Sequence, residues 1–222
     1  MSEDRDWAAR LTGWLLLVGA LAALAYGSRA SSGKPDPDAL YRYSTAIGSI
    51  VIYLILLAIV VYGIGRGLSR TEFLALRRPE SWARALGWVL AGYVAIFTAA
   101  GLLLIALDAG DEQGLTSDDW DPSRAGAYAA NFVAVAMVAP AVEEILYRGA
   151  GISLLLRFGA PAAVLGSALC FGLGHGLVLA LPALVVFGLV TAFVRLRTGS
   201  VLPGMLIHGL FNATSLIVSV AA

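Results

Sequence analysis

Charge is scarce in this sequence. Of its 222 residues 14% are charged and 59% are hydrophobic, and the mean hydropathy is +0.82. Soluble domains carry about 25% charged and about 45–50% apolar residues. The formal net charge is zero, so nothing points to a nucleic-acid partner. The single cysteine, Cys170, lies in an apolar run, which excludes an intramolecular disulfide. Internal repeats and a second domain are also missing, so residues 1–222 read as a single integral membrane domain. The N-terminus lacks a basic n-region. Glu3, Asp4 and Asp6 stand beside Arg5 and Arg10, and the apolar stretch Leu11 to Gly27 exceeds a signal-peptide core of about 7–15 residues. It reads as a retained first span.

What the sequence has instead is long stretches without charge, which act as transmembrane helices once they reach roughly 18 residues. The runs 11–27, 46–65, 86–107, 126–157, 161–180, 182–196 and 201–220 predict an all-α, polytopic bundle of about seven spans, with six to eight as the range. Each must be helical, because a lipid-exposed backbone has to satisfy its own hydrogen bonds. The fourth run is too long for one crossing, which predicts a bend at Pro140 or an interfacial end near Arg157. Segment 66–85 holds Arg66, Arg70, Arg77, Arg78 and Arg84, whereas 108–126 holds Asp108, Asp111, Glu112, Asp118, Asp119 and Asp121 against Arg124. The positive-inside rule then predicts a cytoplasmic N-terminus. Arg5, Arg10, Arg157, Arg195 and Arg197 join the basic loop inside, while Arg29, Lys34, Arg42 and Arg124 fall outside.

After Asp121 only two carboxylates remain, and they are neighbours: Glu143 and Glu144. Both histidines, His175 and His208, lie in the same half. Ionisable groups at membrane depth cost several kcal/mol at least and point to function by default. Glu144 and Arg148 are four apart and share a helix face, while Glu143 points about 100° away. One glutamate can be held by the arginine while the other faces a cavity. His208 and Asn212 share a face, as do Phe171 and His175. The turn signal Phe158-Gly159-Ala160-Pro161 closes a hairpin in which Glu143 and His175 both reach about 24 Å from the turn. His208 fits less well: from a turn near Gly199 it reaches only about 13 Å, leaving roughly 10 Å to be absorbed.

These residues carry a family resemblance. Glu143-Glu144-Ile145-Leu146-Tyr147-Arg148 resembles the EExxxR motif of the CaaX-protease and bacteriocin-processing (CPBP) family of intramembrane proteases. Phe171-Gly172-Leu173-Gly174-His175 resembles its FxxxH motif, and His208-Gly209-Leu210-Phe211-Asn212 its HxxxN motif. All three stand in the family's order, in a family-like catalytic core of about 126–222. The resemblance implies an intramembrane endopeptidase of the glutamate or metalloprotease type in a bacterial or archaeal plasma membrane. By that analogy Glu143 is the base that activates water, assisted by His175. His208 and Asn212 support the oxyanion, and Glu144 with Arg148 fixes the helix. The implied partners are the lipid bilayer and a membrane-associated protein or peptide substrate.

Other readings stay open at this stage. Glu143, His175 and His208 could supply the ligands of a divalent metal such as zinc, or work without one; the HExxH helix of zinc proteases is absent. Glu144–Arg148 could be a purely structural pair, and Asn212 an interhelical tie. At the level of function, a non-catalytic scaffold or bacteriocin self-immunity protein of the same fold is the alternative. A proton-coupled transporter would be expected to show paired repeats, which the sequence lacks.

Overall fold

The computed structural model describes residues 2–32, 36, 38–109, 112 and 120–221. The charge-poor runs become helices α1 (Ser2–Ser32), α2 (Tyr43–Ile64), α4 (Trp82–Ala106), α5 (Pro122–Phe158), α7 (Leu181–Thr198) and α8 (Leu202–Ser219). These six are long and apolar enough to cross a membrane. A short α3 (Arg70–Phe73) and a 15-residue α6 (Ala160–Gly174) complete the set, and no strand occurs among the described residues. The chain is a polytopic all-helical membrane protein. Of the acidic loop, Asp111, Asp118 and Asp119 lie outside the described residues.

The fifth predicted run needs correction. It was expected over 161–180, but α6 stops at Gly174 and leaves 175–180 as a turn. Gly176 adopts φ +66, and its α-carbon lies against the Ala25 backbone of α1, where a side chain would collide. The left-handed conformation breaks the helix, and Pro182 starts α7 in the first turn, where its missing N–H costs nothing. Apolar composition continues through the break, so hydropathy alone does not reveal it.

Helix α5 runs unbroken for 37 residues and changes its winding on either side of Pro140. A π-helical stretch, Ala134–Val138, precedes Pro140, and a second, Glu144–Gly151, follows the glutamate pair. Proline removes one ladder hydrogen bond and crowds the preceding turn, and a π-bulge widens the helix to absorb this. The second stretch is crowded from two sides. A Cβ at Gly149 would lie 2.8 Å from Leu74 O, and one at Gly151 2.5 Å from the Trp14 ring. Carbonyls within it take side-chain donors: Trp14 Nε1 donates to Leu146 O (3.0 Å) and Ser167 Oγ to Tyr147 O (2.9 Å).

The segment after α3 is not a simple loop. Leu74 and Ala75 are buried, wedged against α5, and Ser153 Oγ donates to Phe73 O (2.7 Å). The α7–α8 turn docks on this wedge: Val201 N–H donates to Ala75 O (3.2 Å) and Arg77 Nε to Gly199 O (2.7 Å). The Gly199 turn therefore stands level with residues 149–153 of α5. Gly159 is six to ten residues further on, roughly 9–15 Å. That offset supplies the distance His208 needs to reach the glutamates.

Candidate active site

Helix α5 delivers the two glutamates in different directions. Glu144 is fully buried, with Oε1 3.2 Å from Arg148 Nη1 and 3.4 Å from His208 Nδ1. Its other oxygen lies where a side chain at Gly204 would sit, 2.5 Å from an added Cβ, so α8 approaches only because residue 204 is glycine. The Arg148 guanidinium stacks over Phe171 at 4.3 Å, which offsets part of the cost of burying it. Glu143 turns the other way. Its Oε1 accepts from the Tyr53 hydroxyl of α2 (2.5 Å), and its Oε2 lies 3.8 Å from His208 Nε2 with no hydrogen-bond donor among the described residues.

His208 thus faces one carboxylate with each ring nitrogen, joining the two glutamates that the sequence treats as separate. It is the residue that the turn distances left about 10 Å short. His175 sits at the C-terminal end of α6 and packs on Phe171 with ring centroids 4.6 Å apart. Its Nδ1 is 2.8 Å from Phe171 O. A carbonyl can only accept, so Nδ1 is the donor and Nε2 takes no part in this contact. Glu143, His175, His208 and Asn212 all line a cavity of about 200 Å³, walled by Phe171, Phe187 and Phe211. A second cavity, of about 320 Å³, lies on the α1–α2 side and shares Ser49, Tyr53, Glu143 and His175 with the first.

Asn212 does double service. Its Nδ2 donates to Val135 O (2.9 Å) in the first π stretch of α5, which ties α8 to α5, and the second amide hydrogen remains. The metal candidates are less well gathered. Among the described residues no three His, Cys, Asp or Glu side chains converge as a ligand set, so Glu143, His175 and His208 do not fit a preformed metal site in this arrangement.

Sequence reasoning missed two polar side chains. Asn131, nearly fully buried, lines the cavity and donates to Leu40 O and Arg42 O (both 2.9 Å). Tyr53 holds Glu143. Its one signal was position: it lies mid-helix in an apolar span, where tyrosine's usual interfacial placement does not explain it.

Residues 125–214 match the family described as type II CAAX prenyl endopeptidase, Rce1-like. The matched segment contains Glu143, Glu144, Arg148, His175, His208 and Asn212, and excludes Tyr53. No curated protein and no solved structure matches the chain.

Proposed function

Because residues 125–214 match the Rce1-like family of type II CAAX prenyl endopeptidases, we propose that this chain is an intramembrane endopeptidase whose water-activating base is Glu143. One observation carries the reading. Glu143 Oε2 is a carboxylate oxygen with no hydrogen-bond donor among the described residues, 3.8 Å from His208 Nε2, in a cavity that His175 also lines. A base needs reach to a water and a site that tunes it.

In this mechanism Glu143 takes a proton from a water, and the resulting hydroxide attacks the carbonyl carbon of the scissile peptide. The C=O π electrons move to oxygen. His208 and the remaining Asn212 amide hydrogen donate to that oxyanion, preorganised in a site that excludes bulk water. His175 Nε2 accepts the water's second hydrogen and orients it. Collapse reforms the carbonyl and breaks the C–N bond, and Glu143 returns its proton to the departing nitrogen. Glu144 and Arg148 position His208 and stay outside the proton transfers. No step is routed through a metal. The substrate class is a membrane-associated protein or peptide that presents an extended segment at the cavity.

The test compares the membrane proteomes of cells expressing wild type and Glu143→Gln. Cleavage products present only with wild type, with the variant folded and equally abundant, are expected. Equal products from both would remove Glu143 as the base, and no products from either would favour a non-catalytic scaffold.

A further inference from the structure

The base and its helpers all come from the family-matched segment, yet the hydroxyl bonded to Glu143 comes from outside it. Tyr53 stands on α2, ten residues from the start of that helix at Tyr43, roughly 15 Å along it. Its hydroxyl donates to Glu143 Oε1 at 2.5 Å. Tyr53 also lines both cavities, as do Ser49, Glu143 and His175, so Tyr53 and Glu143 meet where the two cavities adjoin.

A carboxylate with two free oxygens turns about its terminal torsion, which is broad and two-fold, and offers either oxygen. A donor fixed on Oε1 removes that freedom. The oxygen left over is Oε2, the one on the His208 side. We infer that Tyr53 is a positioning residue of the active site: it locks the Glu143 carboxylate so that Oε2, and not Oε1, meets the water. The inference rests on Glu143 being the base. It makes the N-terminal half of the chain a contributor to the site, not only a membrane anchor for it.

The experiment is steady-state kinetics of the full chain in lipid nanodiscs on an internally quenched CaaX peptide, in unmodified and farnesylated forms. With whichever form wild type turns over, Tyr53→Phe is expected to lower kcat by up to about 100-fold, the loss that a misplacement of about 1 Å can cause. KM should stay within about two-fold, because binding is untouched. Tyr62→Phe, on the same helix but exposed, should match wild type. Fluorotyrosines at position 53 change hydroxyl acidity without changing shape, so kcat should track the substitution at constant melting temperature. That series carries the test should the phenylalanine variant fail to fold. A wild-type kcat in Tyr53→Phe, or a flat fluorotyrosine series, overturns the inference while an inactive Glu143→Gln leaves the base standing. An active Glu143→Gln, or a wild type that cleaves neither peptide and generates no proteome products, overturns the underlying reading.

Discussion

The cost of burying a charge decides what Glu144 and Arg148 do. Both are completely buried. An ion pair in such a place is weak evidence of stability, but removing one member strands the other, at a cost of about 3–5 kcal/mol. Arg148→Met should therefore lower the melting temperature in detergent sharply. Glu144→Leu combined with Arg148→Met should recover much of that loss, because two apolar groups then replace two charges. A single variant that melts like wild type would show that the pair does not hold this core. The double variant should stay inactive, since His208 loses the carboxylate facing its Nδ1. The i,i+4 spacing made this pair legible from the sequence alone. The role of His208 between both carboxylates was not, because it depends on how deep a distant turn is held. Tyr53 was not legible either: no local spacing links residues 90 apart.

At the scale of elements, the break after α6 matters most, because it ends the helix at His175. The turn that follows is clasped from outside. Glu112 Oε1 accepts from Val178 N–H and Oε2 from Ala180 N–H, both at 2.7 Å, and Arg29 at the end of α1 lies 4.0 Å away. Burial pushes the Glu112 carboxyl up, but the backbone N–H donors and Arg29 outweigh it and hold the group below a glutamate's ordinary 4.5. A carboxyl lowered in the folded state stabilises fully above its unfolded value and loses that contribution as pH falls through the folded one. Protection of the Val178 and Ala180 amides against hydrogen exchange should hold from neutral pH down to about 4.5 and decline below it. Glu112→Gln should show weaker protection and lose the pH dependence. Unchanged protection in that variant would mean that the backbone alone sets the turn. The seven apolar runs were legible as helices, since composition determines which segments enter the membrane. The early end of α6 and the wedge at Leu74–Ala75 were not, because each rests on a backbone contact with a residue far along the chain.

Over the whole molecule, the links between chain segments sort into two ends. At one end Asp4 pairs with Arg157, Arg10 donates to the carbonyls of Ile64 and Arg66, and Arg77 holds Gly199. At the other, Glu112 joins Arg29 to the 176–180 turn, and Arg124 pairs with Asp38 at 2.7 Å. This sorting has the chain pass up and down seven times, although α6 is short for a full crossing. The cavity at Glu143 is lined at the Glu112 end by Leu40, Leu177 and Ala180. The arginines gather at the opposite end, so by the positive-inside rule we propose that the Glu112 end, and with it this side of the cavity, faces away from the cytoplasm. One labelling experiment tests this. With Cys170, the sole cysteine, replaced by alanine, Ser123→Cys should react with a membrane-impermeant maleimide in intact cells, and Ser69→Cys only after lysis. The reverse pattern would turn the cavity toward the cytoplasm and make cytoplasmic tails its natural substrates. Labelling of both from one side would contradict the seven-pass arrangement itself. The expected pattern has a chemical consequence: a segment that enters along the Leu40, Leu177 and Ala180 side reaches Glu143 from the outer leaflet or beyond it.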